Sequence, residues 1–96
     1  MQLPIEHDTR ARKFVMRLPS GEAFLAYTPV GKGVLEFYST YVPPPARGNQ
    51  VASDLVRTAM DFARERRYRI IPSCWYVQGW VERHPEYQAL IEGISD

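Results

Sequence analysis

The sequence has few of the residues that mark several large classes of protein. One cysteine, Cys74, among 96 residues excludes an internal disulfide and a CxxC metal site. No apolar run approaches the ~20 residues that span a bilayer, and residues 1–12 lack an apolar signal-peptide core. A net charge of +1 gives no generally basic surface for nucleic acid. We therefore expect a single-domain, cytoplasmic protein with no membrane and no nucleic-acid partner.

The first half of the chain alternates apolar and polar residues in the manner of β-strands. The alternating stretches cover residues 13–18, 22–28 and 34–42, and turns rich in proline and glycine separate them. Residues 1–11 are mostly polar and are predicted to form an arm that is ordered only in part. The pattern predicts a three-stranded antiparallel meander.

From residue 50 the spacing becomes helical. The apolar residues that share one helix face are Val51, Ala52, Leu55, Val56, Ala59, Phe62 and Ala63. Asn49 is the predicted N-cap of this long helix. A short apolar strand at residues 68–71 follows, Ser73 is the predicted N-cap of a second helix, and Pro85 suits the start of a third. The predicted fold class is α+β, with one long helix and one or two C-terminal helices on one face of a small sheet.

The segment before the long helix has the residues of an anion site. Free N–H groups at a helix N-terminus attract anions. Gly48 lets a phosphate approach the backbone, and Arg47 supplies a fork of donors. The residues alone leave two interpretations open, a phosphate site and an ordinary helix start.

Residues 47–52 (RGNQVA) resemble the loop with which the GNAT superfamily of acetyltransferases binds the pyrophosphate of CoA, whose pattern is Q/R-x-x-G-x-G/A. The match holds at Arg47 and Ala52. It fails at Gln50, where the pattern has glycine and where a Cβ is expected to crowd the pyrophosphate. The resemblance implies that the cofactor-binding residues are Val42, Arg47, Gly48, Asn49, Gln50, Val51 and Ala52.

Two further segments, residues 71–77 (IPSCWYV) and 83–87 (RHPEY), resemble a family of short stand-alone GNAT-like N-acetyltransferases, often described as YjdJ-type or plant-type. The resemblance covers roughly residues 13–91. It implies acetyl-CoA as cofactor and an amine acceptor, either a small molecule or a protein. The alternative is a non-catalytic CoA-binding or protein-interaction module. A homodimer that completes the acceptor site is a further expectation, made from the small size of the chain.

Cys74 is the predicted catalytic residue. It lies near the start of the second predicted helix, where the helix dipole favours a thiolate. The resemblance implies that it lies near the CoA thiol. Four roles remain open: a nucleophile that takes the acetyl group, a residue that lines the site while the amine attacks directly, a buried structural cysteine, and a thiol-reactive sensor.

The sequence does not identify a general base. Ser39 stands where the short family carries a histidine, and Glu36 and Tyr41 are the alternatives on the same strand. Trp75, Tyr76 and Trp80 are predicted to pack in the core as an aromatic cluster, with the pantetheine arm as a second possible neighbour of Trp75 or Tyr76. We expect no metal site, because the histidines and carboxylates lack ligand spacing.

Overall fold

Apolar side chains that alternate along the first half of the chain build one face of a sheet. In the computed structural model, which describes residues 4–48 and 50–93, the sheet contains β1 (Ile5–Asp8), β2 (Lys13–Leu18), β3 (Gly21–Gly31), β4 (Val34–Tyr41) and β5 (Arg69–Pro72). Strands β1 to β4 are consecutive antiparallel neighbours, and β5 lies parallel to β4 at the far edge. A parallel neighbour needs a crossover, which helix α1 (Val51–Arg66) provides.

The α+β class and the order of elements are confirmed, but the sheet has one more strand than the predicted meander. Strand β1 lies in the segment that was predicted to be a partly ordered arm. It pairs with β2 from Ile5 opposite Met16 to Asp8 opposite Lys13. Four residues with two charged members carry too little alternation to indicate a strand, and its packing against β2 is a tertiary effect.

Helix α1 packs on β2 and β3 through the apolar face that its spacing predicts. Its buried residues are Val51, Leu55, Val56, Ala59, Met60 and Ala63. The helix ends at Arg67, which adopts the left-handed conformation (φ 62°), and the backbone N–H of Arg67 donates to the carbonyls of Ala63 and Arg64. Asn49, the predicted N-cap, lies outside the described residues, and Gln50 is the residue that directly precedes the helix.

The C-terminal part of the chain closes the same core. Helix α2 spans Trp75–Arg83, and a 3₁₀ helix, Pro85–Leu90, stands where a short third helix was predicted. Cys74, and not the predicted Ser73, is the N-cap of α2. The indole of Trp80 is fully buried and its Nε1 donates to Ser53 Oγ at 2.9 Å, which joins α2 to the first turn of α1.

Both helices share one core with the sheet face that carries Phe14, Leu25 and Phe37. The opposite face is covered by no helix in the described part of the chain. On that face the rings of Phe24 and Tyr41 lie 5.7 Å apart. Across residues 4–48 and 50–93, we find no helix with the length and apolar character that crossing a bilayer requires.

Candidate functional site

A groove with a volume of about 890 Å³ opens where β4, α1 and α2 meet. Three segments line it. The first is the end of β4 with the loop that follows, residues 40–42 and 46–48, and the second is the start of α1, residues 50–53 and Arg57. The third is α2 with the residue after it, which contribute Trp75, Tyr76, Arg83 and His84. Of the residues that the CoA-loop resemblance implies, all but Asn49 line this groove. Asn49 lies outside the described residues. The fold therefore brings the predicted loop together with part of the second motif.

The groove exists because β4 and β5 separate. Their parallel pairing ends at Phe37 opposite Pro72, and a bond from the Cys74 N–H to the Phe37 carbonyl (3.1 Å) is the last backbone link. Strand β4 continues to Tyr41 with β3 as its partner on the other side. The β4 edge beyond Phe37 therefore faces the groove, and its backbone groups are available to a ligand.

A bulge in β4 turns Thr40 toward this gap. Ala26 pairs with Ser39 and Tyr27 pairs with Phe37, so Tyr38 is an extra residue in the strand. Residues two apart share a face, and without the bulge Ser39 would face the core with Phe37. The extra residue places Thr40 on the core side instead, opposite Leu25.

Arg47 and Gly48 form the outer rim of the groove. Arg47 Nε donates to the Val42 carbonyl at 2.8 Å, and its guanidinium lies 5.9 Å from the centre of the Tyr41 ring. Gly48 has φ 88°, and a Cβ built there would have no protein atom within 4 Å. Backbone conformation and open space both suit a residue that an anionic ligand approaches closely.

Gln50 adopts the left-handed conformation, with φ 64° and ψ 11°. A residue with a Cβ pays about 1–2 kcal/mol for this conformation, and glycine does not. The glycine of the superfamily pattern therefore has a conformational reason that is independent of any ligand. The predicted crowding of a pyrophosphate by the Gln50 side chain stays a prediction.

The first turn of α1 presents free donors to the groove. The N–H groups of Val51, Ala52 and Ser53 have no intrahelical acceptor, because the helix begins at Val51. The Asp54 N–H donates to the Gln50 carbonyl at 3.0 Å. Together with the helix dipole, these donors favour an anion in the groove.

Three arginines line the groove, at positions 47, 57 and 83, and no carboxylate lines it. Within residues 4–48 and 50–93, none of the three takes part in a salt bridge. Sequence reasoning identified Arg47, assigned Arg57 to the polar helix face, and included Arg83 in the 83–87 motif without naming it as a ligand residue. No local signal distinguishes Arg57 from an ordinary surface arginine, and its proximity to Arg83 depends on how α2 packs on α1.

Cys74 lies beside the groove and not in its wall. The side chain is buried, and its Sγ–H donates to Thr40 Oγ1 at 3.5 Å. Thr40 in turn lines the groove. The structure thus places the predicted catalytic residue one side chain away from the groove, at the point where β4 and β5 separate.

Glu36 occupies the opposite side of this gap. Its carboxylate accepts a hydrogen bond from the Ser73 hydroxyl, and Ser73 directly precedes Cys74. Glu36 pairs with Ile71 and follows Leu35, a core residue, so it points to the sheet face that carries no helix. Ser39 shares that face.

Trp75 does not pack in the core as predicted. Its side chain is 80% exposed, and it stands at the groove beside Tyr76, with ring centres 6.0 Å apart. Burial raises the pKa of Tyr76, and the positive charge of Arg83 opposes this rise.

The two histidines have different surroundings. His84 lines the groove, stacks on Trp80 with ring centres 3.8 Å apart, and its Nδ1 lies 2.7 Å from the Trp80 carbonyl. His7 packs at the other end of the sheet, 4.2 Å from the Phe14 ring. No group of three or more potential metal ligands occurs in the described part of the chain.

Comparison with known proteins identifies the family of the chain. The family model for GCN5-related N-acetyl-transferases matches residues 13–90. Protein NATD1 from Danio rerio is 37% identical over 91 residues, covering 93% of this chain and 83% of the relative. Protein NATD1 from Bos taurus is 39% identical over 88 residues, covering 90% and 78%.

A solved structure shares the fold. The solution NMR structure of a GCN5-like protein from Staphylococcus aureus superposes with a TM-score of 0.73, covering 97% of this chain and 91% of that one. The two sequences are 23% identical. This likeness bears on the fold alone.

Proposed function

Because the chain belongs to the GCN5-related N-acetyltransferase family, we propose that it binds acetyl-CoA and transfers the acetyl group to an amine. The observation that carries the proposal is the groove at the N-terminus of α1, where three arginines and the free N–H groups of the first helical turn meet with no lining carboxylate. The phosphates of CoA are the anions that such a groove suits.

The fit to a pyrophosphate rests on three features of the loop. Arg47 uses Nε for the Val42 carbonyl, which leaves both terminal amino groups of the guanidinium for phosphate oxygens. Gly48 has open space where a side chain would otherwise stand. The free N–H groups of Val51 and Ala52, two residues that line the same groove, add backbone donors.

Acyl transfer takes place at the gap between β4 and β5. Acetyl-CoA supplies an acetyl group activated as a thioester. The acceptor nitrogen attacks the thioester carbonyl carbon, a C–N bond forms, the C–S bond breaks, and CoA leaves as its thiol. Glu36 is the proposed acceptor of the amine proton, because its carboxylate stands at the mouth of the gap on the open sheet face.

Direct attack by the amine is the proposed route, and Cys74 lines the site. Its thiol is buried and donates to Thr40. Cys74→Ala is expected to retain turnover within about 10-fold of the natural chain, since a nucleophile would be worth far more. Loss of turnover in Cys74→Ala, with an acetylated Cys74 detected by mass spectrometry in the natural chain, would establish covalent transfer instead.

Calorimetric titration with CoA and acetyl-CoA tests the binding step. Saturable binding of both ligands is expected, with an affinity that falls as salt is added, because charged contacts dominate. No heat of binding at millimolar ligand would refute the proposal. Lys32→Gln, which removes one positive charge at an exposed turn away from the groove, is the matched control.

A CoA-binding or protein-interaction module without turnover is the second candidate. Ser39 favours this candidate, because it stands where the short family carries a histidine. Among the described residues, the hydrogen-bond partner of the Cys74 thiol is the Thr40 hydroxyl, which is not a base. Incubation with acetyl-CoA and a panel of small-molecule, peptide and protein amines separates the two candidates. Steady release of CoA contradicts the binding-only function, whereas binding without release contradicts catalysis.

The same proposal includes a cytoplasmic location, in keeping with a lone cysteine, and a homodimer that completes the acceptor site. Sedimentation of the purified chain with and without CoA checks the second point. A monomer under both conditions would remove the partner subunit from the acceptor site.

A further inference from the structure

The end of the groove that lies away from Cys74 carries its own pair of arginines. Arg57 comes from the second turn of α1, and Arg83 comes from the last turn of α2. Arg57 follows Val51 by six residues, which places it about 9 Å further along the helix axis at 1.5 Å per residue. Arg57 is therefore separated from the free N–H donors at the N-terminus of α1.

A glycine inside α2 accommodates the Arg83 side chain. A Cβ built on Gly79 would lie 3.3 Å from Arg83 Nη1. Glycine within a helix costs about 1 kcal/mol relative to alanine, so its presence needs a local reason. Here the missing side chain leaves room for the Arg83 guanidinium to lie back along the helix.

Arg57 is held by aromatic rings. Its Cζ lies 5.3 Å from the centre of the Trp80 ring and 6.0 Å from that of Tyr87, and its Nη1 donates to the Tyr87 hydroxyl at 3.5 Å. His84 stacks on Trp80 and lines the same part of the groove. Trp80, on which the Arg57 guanidinium packs, is held in place because it is fully buried and its Nε1 donates a hydrogen bond to Ser53.

We propose that Arg57 and Arg83 form a second anion subsite, which takes the phosphomonoester on the ribose of CoA. The inference rests on the proposed function and deepens it, because it assigns the nucleotide end of the ligand to α2. The donors at the start of α1 and Arg47 then hold the pyrophosphate. Gly79 is a positioning residue, which acts through Arg83.

The test compares CoA with 3′-dephospho-CoA by calorimetry. The natural chain is expected to prefer CoA by about 10-fold, the size of one charge-assisted contact. Arg83→Gln is expected to abolish this preference and to leave the affinity for 3′-dephospho-CoA within about 2-fold. Arg57→Lys keeps the charge but loses the planar fork, and it is expected to reduce the preference only in part. Arg10→Gln, at an exposed loop, is the matched control and keeps the full preference.

Gly79→Ala separates positioning from folding. The added Cβ requires the Arg83 guanidinium to shift by a few tenths of an ångström and is expected to reduce the preference for CoA by less than about 2-fold, while the melting temperature stays the same or rises because alanine favours the helix. Equal binding of CoA and 3′-dephospho-CoA by the natural chain would overturn the subsite, as would an Arg83→Gln variant that weakens both ligands equally. If the natural chain binds neither ligand, the proposed function fails and the subsite fails with it.

Discussion

The two ends of helix α1 differ in how completely their side chains are paired. At the C-terminal end, aromatic rings fill the space between the helix and the sheet. The His7 ring stacks on Phe14 at 4.2 Å and meets the edge of Phe62 at 4.6 Å. The same histidine forms a hydrogen bond of 2.5 Å with the Tyr27 hydroxyl. Each polar atom named here has a partner, and each ring packs against another.

At the N-terminal end, three arginines of the groove lack a carboxylate partner among the described residues, and one large aromatic side chain, Trp75, is 80% exposed. Gln50 is held in a left-handed conformation. Uncompensated groups that cluster in a concave site indicate a ligand, because a surface selected for stability alone would pair or bury them. The packed end stabilises the fold, and the groove end is the proposed ligand site.

The largest expected difference between the ends comes from removing one aromatic side chain at each. Phe14→Ala is expected to lower the free energy of unfolding by about 3–5 kcal/mol, because it leaves a cavity in the core. Trp75→Ala is expected to change it by less than about 0.5 kcal/mol. Urea denaturation measures both, with Phe14→Leu as a milder variant that stays folded. If Trp75→Ala lowered the free energy of unfolding as much as Phe14→Leu does, Trp75 would pack as a core residue.

Removal of the rim arginine is expected to affect binding and leave stability unchanged. Arg47→Gln should weaken CoA binding about 10-fold, since it deletes a charged fork that faces the phosphates. Calorimetry measures the affinity and urea denaturation the stability. An unchanged affinity would exclude Arg47 from the ligand site, and a large loss of stability would mean that its bond to the Val42 carbonyl is structural.

Two left-handed residues flank α1 and offer a matched pair of substitutions. Gln50→Gly and Arg67→Gly each relieve strain at φ 64° and φ 62°. Each is expected to stabilise the fold by about 0.5–1 kcal/mol, the strain relieved less the entropy that glycine adds to the unfolded chain. Gln50→Gly alone is expected to raise the affinity for CoA, because Arg67 lies at the packed end. Equal affinities for CoA in both variants would contradict the predicted crowding by Gln50.

The smallest effect concerns His7 and pH. Burial lowers the pKa of His7 below its ordinary value of 6.5, Arg66 lowers it further, and Asp8 opposes the change. Below pH 6.5 the unfolded chain therefore takes up a proton before the folded chain does. The stability that neutral His7 contributes is present above about pH 6.5 and is lost as the pH falls toward the folded-state pKa. Urea midpoints between pH 7.5 and 5 should fall less in His7→Gln than in the natural chain, and parallel curves would refute this account.

Local sequence patterns predicted most of the fold. The apolar spacing of α1 and the alternation in β2, β3 and β4 are each strong over their length, so the α+β class followed from them. Strand β1 was not predicted, because only two of its residues, Ile5 and His7, face the core. A histidine is not counted as apolar in a sequence pattern, and here it packs in the core by stacking on Phe14. The bulge at Tyr38 was not predicted either, since it depends on register with β3.

The candidate site was predictable where it is contiguous in the chain. Residues 47–50 precede a helix and residues 51 and 52 begin it, so the whole segment is recognisable from the local sequence. Arg57 was not predicted, because it looks like a solvated helix residue by itself, and Arg83 was noted only as part of the 83–87 motif. Trp75 was predicted to pack because composition does not tell which face of a short helix meets the core.

The sequence by itself determined the elements of this protein, the loop before α1 and the lone cysteine, because these follow from periodicity, turn chemistry and residue count. Only the tertiary structure decided that β4 and β5 separate after Phe37, that α2 comes to lie beside the start of α1, and that three arginines from separate segments face one groove. Such proximity depends on how apolar faces pack across long sequence separations, which no local pattern records.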